Sequence, residues 1–326
     1  MNILFFIGNG FDLNIGMKTS YGDFYNYYHG VKSDNPSVEK LKKEISNNIK
    51  LWSDLELALG EYTESIGTQE EFNEVFEDIG DNLAMYLQQE ESRFDFSRID
   101  RKELFDCLSY PERYLPPTDN NQIKTFKEKW KFENWNVRII TFNYTRTIEN
   151  LIGEKLNKTQ IGTHHNRSID LQGVEHIHGY VNERMVMGVN DVSQIKNSSF
   201  HKNQNVLEAL VKVICNQVSR QNIDEVCKQQ VSSANLICIF GSSIGDTDNM
   251  WWELIGKRLL GNCKLIIFHK TEEISPLRPY KKLPVERDYR HSFLRKANLT
   301  EEERNRISDN IYIGLNTEIF DLIKEI

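Results

Sequence analysis

Apolar positions along the chain gather into a few short, β-branched runs, each released into a polar turn. Ile3–Ile7, Val137–Thr141 and Leu236–Phe240 all give way to turns containing Gly, Asn or Ser. Runs of this length and composition read as strands buried on both faces. Lys264–Phe268 makes a fourth, one helix later, and Ile311–Ile313 a fifth that feeds a last helix through Ile326. The alternation of strand, polar turn, helix and strand predicts an α/β fold, Rossmann-like and doubly wound, with a mainly parallel sheet.

Between the first two runs the period becomes helical for more than a hundred residues. Ser20-Tyr-Gly-Asp23 is placed to cap an aromatic-rich helix through Tyr28. Ser53-Asp-Leu-Glu56 has capping-box form ahead of Leu57, Leu59 and Tyr62. Thr68-Gln-Glu-Glu71 repeats that form ahead of Phe72, Val75, Phe76 and Ile79, which follow i, i+3, i+4, i+7 spacing. Pro111 and Pro116-Pro117 punctuate the end of this stretch. The expected organisation is one α/β domain over 1–326, its sheet drawn from 1–19 and 136–326, with 20–135 a large helical insertion or cap after the first strand. A second helical stretch, Val206–Gln230, and a polar loop, Pro276–Arg290, complete the map.

Composition narrows the class. The 326 residues carry a net charge of −8, with 39% apolar and 27% charged positions, the balance of a globular rather than a disordered chain. An acidic total argues against a sheath-like nucleic-acid binder, so nucleic acid is not an expected partner. The longest apolar run, Ile3–Ile7, falls far short of the roughly 20 residues of a membrane span. It has no basic flank of the secretory kind, so no membrane association is expected. Cys107, Cys215, Cys227, Cys238 and Cys263 form no Cys-x-x-Cys pair, and read as buried thiols of a reducing cytoplasm. The sequon Asn157-Lys-Thr159 then has no role.

Candidate chemistry sits in the turns. Gly8-Asn9-Gly10-Phe11-Asp12 leaves the first strand, where glycines permit positive φ and let a phosphate approach backbone N–H groups. Thr141-Phe-Asn143-Tyr-Thr145 leaves the second. Thr145 can cap the helix bearing Ile148, Leu151 and Ile152, which stops at Gly153. Asn143 is either a contact to a sugar hydroxyl or a turn-forming residue. His176-Ile-His178-Gly179 alternates, so on a strand both rings face one side. One suits general-base work and the other structure, or the two join His164, His165, Asp246 and Asp248 as metal ligands. Gly241-Ser242-Ser243-Ile-Gly-Asp246-Thr-Asp248 offers small hydroxyls to a ribose or phosphate, while its two carboxylates also read as helix caps. Trp251 and Trp252 read as core. Glu56 is explained by its capping box, although Trp52-Ser-Asp54-Leu-Glu56 also allows a carboxylate in the site. All these turns fall at the carboxyl ends of predicted parallel strands, which favours one shared crevice.

Taken in order, Gly8-Asn-Gly10-Phe-Asp-Leu13 with Lys18-Thr-Ser-Tyr21, Trp52-Ser-Asp-Leu-Glu56, Thr141-Phe-Asn-Tyr-Thr145, His176-Ile-His-Gly179, Gly188-Val-Asn-Asp191 and Gly241-Ser-Ser243 resemble the bacteriophage abortive-infection AbiH family over nearly the whole chain. That resemblance implies a bacterial cytoplasmic factor limiting phage multiplication. A more distant similarity, to the sirtuin-like NAD-binding fold and its defence-associated NAD hydrolases, implies a biochemistry. It matches Gly8, Asn9 and Gly10 to the pyrophosphate turn, and Asn143 to the asparagine at the nicotinamide ribose. It matches His178 to the His-Gly histidine, and Gly241 and Ser242 to the adenosine ribose turn. The four-cysteine zinc module of the deacetylases is missing from this sequence. Asp12 stands where a carboxylate repels pyrophosphate unless it turns away or engages a hydroxyl.

The resulting expectation is NAD, or a related nucleotide, as substrate or ligand and no metal. Asn143 and His178 are the catalytic pair, and Gly8, Asn9, Gly10, Phe11, Asp12, Thr141, Gly241, Ser242, Ser243, Asp246 and Asp248 the ligand-binding set. A phage-encoded trigger or a second copy of the chain is the expected partner. Two alternatives stand beside it: a non-catalytic nucleotide-sensing module, and a metal-dependent hydrolase or nuclease built on His176, His178, Asp246 and Asp248.

Overall fold

In the computed structural model, residues 1–153, 158–275 and 277–323 are described. The chain is an α/β protein around a seven-stranded, mostly parallel sheet. Its strands are β1 (Asn2–Ile7), β2 (Trp135–Thr141), β3 (Thr159–His164), β4 (Arg167–His176), β5 (Leu236–Phe240), β6 (Lys264–His269) and β7 (Ile311–Leu315), in the order β3-β4-β2-β1-β5-β6-β7. Only β3, an edge strand paired with β4, is antiparallel. From β1 the chain builds outward to β2 and β4 on one side, then crosses to β5, β6 and β7 on the other, so its direction of travel reverses between β1 and β5.

Alternation along β1 divides the core. Ile3, Phe5 and Ile7 point into one apolar cluster, Leu4 and Phe6 into another, and both faces are covered. Helices Arg101–Ser109 and Pro117–Lys127 contribute Leu104, Leu108 and Ile123 to the first cluster. Helices Tyr21–Tyr28, Leu55–Tyr62 and Gln69–Arg93 instead build a third cluster with Met187, Val189, Phe200 and Leu210. The stretch 20–134 is therefore helical apart from its connecting loops, with Trp135 already in β2, but it is divided. Its first part packs on the later segment 187–211, and its second part covers the sheet.

All five expected strands are present. Ser20 and Thr68 cap their helices by accepting from the main-chain N–H groups of Asp23 and Glu71. One hairpin is new and three expectations change. The hairpin β3–β4 forms from a polar stretch, where Ile169 and Leu171 bury one face and His165-Asn166 turns with φ of 42° and 62°. Val206–Gln230 is broken into helices Gln204–Leu210, Lys212–Val218 and Ile223–Ser233. The expected loop up to Arg290 is largely the helix Lys282–Lys296, which buries Phe293 and Leu294 and takes Pro284 in its first turn, where no N–H partner is lost. No helix follows β7 among the described residues; Ile326, Pro276 and Asn157 lie outside them. The five cysteines are buried thiols. Among the described residues no helix is long and apolar enough to cross a membrane.

Candidate functional site

Four neighbouring strands, β4, β2, β1 and β5, end on one edge of the sheet, and the turns leaving them meet. Gly8, Asn143, His178 and Gly241 all line a single cavity of about 410 Å³, together with Asn9, Gly10, Asp12, Ser242, Ser243 and Asp248. The helical layer supplies the opposite wall through Thr19, Tyr21, Asp54, Glu56, Leu83 and Leu87. A crevice at the carboxyl ends of parallel strands, where the winding direction reverses, is where open α/β sheets bind ligands.

The glycines of the floor serve close packing. A Cβ on Gly8 would lie 2.6 Å from the Gly241 carbonyl oxygen, and one on Gly10 only 2.5 Å from the Gly241 Cα. Main-chain N–H groups of Gly8, Gly10 and Phe11 donate to Phe240, Gly241 and Gly8, at 2.9, 2.8 and 3.0 Å. Those three amides are therefore spent inside the protein rather than offered to a phosphate, and positive φ in this pair of turns falls on Gly241 (70°) and Ile244 (55°). The Asn9 side chain is also committed. Its amide donates to the Thr19 carbonyl at 2.8 Å, and its oxygen accepts from the Thr19 hydroxyl at 2.7 Å.

Three of the expected ligand-binding residues lie off the cavity. Phe11 is fully buried against Phe240 and Phe320. The Thr141 hydroxyl donates to the Ile7 carbonyl, tying β2 to β1. Asp246 turns to the surface and pairs with Lys296. Thr145 does not cap the following helix, which starts after Arg146; its hydroxyl donates to Asp12 Oδ2 at 2.6 Å. Asp12 is thus the carboxylate that engages a hydroxyl. Complete burial pushes its carboxyl up to about 6, against the lowering effect of Thr145, Thr147 and the nearby Asn143 amide. Its Oδ1, and both polar atoms of the Asn143 side chain, are buried without a hydrogen-bond partner. Buried amides left open in this way call for a ligand or water.

The two histidines divide as one structural and one facing the cavity. β4 ends at His176, whose Nδ1 donates to the Asn143 carbonyl at 2.9 Å while Nε2 meets Glu149 at 2.7 Å, so this ring holds the Asn143 turn in place. His178 lies beyond the strand end. Gly179 next to it has φ of 70°, and a Cβ there would collide with the Arg184 carbonyl, so only glycine completes the turn. His178 Nε2 is 3.0 Å from Asp248 Oδ1. His164 is stacked on Trp135 and His165 pairs with Glu128, both at the opposite end of the sheet, so the wider metal set is not assembled. Among the described residues no three His, Cys, Asp or Glu side chains are grouped to hold a metal.

Two charged groups enlarge the site. Asp54, not Ser53, caps the helix Leu55–Tyr62 by accepting from Leu57 N–H, which frees Glu56 from any capping box. Glu56 is buried instead, accepting from the Tyr144 hydroxyl at 2.9 Å and from Lys212 Nζ at 2.7 Å. Lys212 also donates to Asp248 Oδ1 at 2.9 Å, and the Gly188 N–H approaches Glu56 from behind at 3.4 Å. Burial alone would raise the Asp248 carboxyl, but the Lys212 ammonium and His178 outweigh it and hold it well below the usual carboxylate range. Burial would likewise lower Lys212, yet Asp248 and Glu56 more than offset it and the ammonium is stabilised. Asp248 therefore holds His178 and Lys212 rather than capping its helix, where its side chain makes no cap bond. Lys212 carries no motif signal in the sequence; only the polar interruption of an otherwise apolar Ala209–Ile214 stretch marks it.

No curated protein matches the chain. Residues 4–269 match the family described as bacteriophage abortive infection AbiH, a span holding all four cavity-forming turns, so the chain belongs to that family and to its role in abortive infection of phage-infected cells.

Proposed function

We propose that this abortive-infection protein binds NAD or a related nucleotide in the crevice and hydrolyses the N-glycosidic bond to nicotinamide. The strand order is read as a Rossmann-like doubly wound sheet, with the helical stretch after β1 as an insertion roofing the ligand. One observation carries the reading: an Asn143 amide with no protein partner shares a cavity with a buried histidine braced by a partly buried carboxylate.

Charge supports it. Asp12, Asp54, Glu56 and Asp248 line the cavity, which contains no lysine or arginine among its lining residues. Such a lining suits a cationic nicotinamide ring and the positive charge that develops on the ribose as the bond breaks. The Ser242 and Ser243 hydroxyls are the donors left for the phosphates. In the reaction the C1′–N bond breaks with its electron pair going to nicotinamide, which leaves neutral. Water forms the new C1′–O bond and loses its proton to His178 Nδ1. That nitrogen has the lone pair because Nε2–H donates to ionised Asp248. Asn143 orients the ribose or the water.

Incubation of the purified protein with NAD, alone and with extracts of phage-infected cells, followed by chromatography for nicotinamide, tests this. His178→Ala is expected to cut release by about 10²–10⁴-fold without loss of fold. Equal turnover in that variant, or no nicotinamide under either condition, overturns the proposal.

A further inference from the structure

The Asp248 carboxylate holds His178 through the same oxygen that receives Lys212. Oδ1 accepts from Lys212 Nζ at 2.9 Å and from His178 Nε2 at 3.0 Å. Lys212 stands on the helix Lys212–Val218 and is anchored from its other side by Glu56 at 2.7 Å. We propose that Lys212 is a positioning residue that keeps the His178 imidazole neutral, with Nδ1 free to take a proton, by occupying the carboxylate that would otherwise stabilise an imidazolium. The chemistry this serves rests on the glycohydrolase reading, whereas the charge arrangement does not.

Two nitrogens bonded to one oxygen at these distances are at most about 6 Å apart. A second positive charge at that separation, in surroundings of intermediate dielectric, is disfavoured by roughly tenfold to a hundredfold in population. The ring is faced by few other charges. Asp224, on the helix Ile223–Ser233, acts from one side, together with the Arg184 guanidinium, which donates to the His176 carbonyl and to Asn216; Glu56 acts through Lys212. Tyr144 faces the ring 6.1 Å away, its phenol kept neutral by burial and by Glu56. Lys212 is the cation bonded to the oxygen that holds the ring, whereas Arg184 is spent on main-chain carbonyls and Asn216, and Glu56 tethers Lys212 to the helical layer. Without Lys212 the His178–Asp248 pair becomes an ordinary buried ion pair, whose imidazolium has no lone pair with which to act as a base.

The test is ¹⁵N NMR of the histidine rings of the full chain at pH 7, in wild type, Lys212→Arg, Lys212→Met and the double variant Lys212→Met/Glu56→Gln. The double variant removes the carboxylate that the single substitution would strand. Wild type and Lys212→Arg are expected to show a neutral His178 ring protonated at Nε2. Lys212→Met and the double variant are expected to show the doubly protonated ring. In parallel, nicotinamide release by the methionine variants is expected to fall ten- to a hundredfold at pH 7, to recover as pH rises, and to leave KM nearly unchanged. A neutral ring in either methionine variant, or a doubly protonated ring in wild type, overturns the proposal. If the rings behave as expected while wild type releases no nicotinamide, the glycohydrolase reading fails and the role of Lys212 stands.

Discussion

Asp12 offers a quantitative check on the site because its carboxyl is wholly buried and half-satisfied. Thr145 donates to Oδ2 while Oδ1 has no partner. Burial raises the group from 3.8 to about 6. Below pH 3.8 the carboxyl is protonated whether the chain is folded or unfolded, and it contributes no pH dependence. Between 3.8 and about 6 the folded chain keeps the proton and the unfolded chain releases it, so stability declines as pH rises. Above that window the folded protein carries the full penalty, ~3 kcal/mol from the size of the shift. Asp12→Asn keeps an acceptor for Thr145 and removes the charge. At pH 7.5 the variant is expected to be more stable than wild type by up to ~3 kcal/mol, or about 4 °C in Tm for a chain of this length. The advantage should disappear by about pH 4. Urea unfolding followed by circular dichroism at a series of pH values measures it. A variant less stable than wild type at pH 7.5, or a difference independent of pH, would refute the assignment of a buried, charged Asp12.

Other substitutions probe the floor and the far side of the sheet. Gly241→Ala combines a φ of 70° with a Cβ only 2.6 Å from Phe11 N, and is expected to cost more than ~2 kcal/mol. Gly245→Ala, whose Cβ meets nothing closer than 3.4 Å, should melt near wild type; equal losses at the two positions would contradict the packing argument. Lys127 and Glu112 form an ion pair with both side chains 3% exposed, at 2.8 and 2.9 Å. Lys127→Met strands the carboxylate and should cost ~3–5 kcal/mol, most of it recovered in Lys127→Met/Glu112→Leu. Denaturant midpoints of the single and double variants read this, and a double variant as unstable as the single one would count against a desolvation penalty.

The central strands were legible because a strand buried on both faces must be apolar at nearly every position, and few other elements are that short and that apolar. The turns at their ends were legible for a similar reason: Gly and Asn are demanded locally, by φ or by close approach, wherever a strand is released at a crowded edge. Side-chain direction was not legible. Glu56 fits a capping box by spacing from Ser53, yet Asp54, the next residue, takes the cap, and the carboxylate is drawn inward by a lysine 156 residues away in the chain. Asp246 and Asp248 are two residues apart in one motif, but one faces Lys296 at the surface and the other His178 in the cavity. The hairpin β3–β4 was hidden because an edge strand needs apolar residues on one face only. What the sequence determined alone was thus the α/β alternation and the set of turns that meet at one edge. Which charges those turns share was decided only by tertiary structure. A buried ion pair is specified by where two distant segments pack and by the cost of leaving either charge unpaired, and no local pattern records that cost.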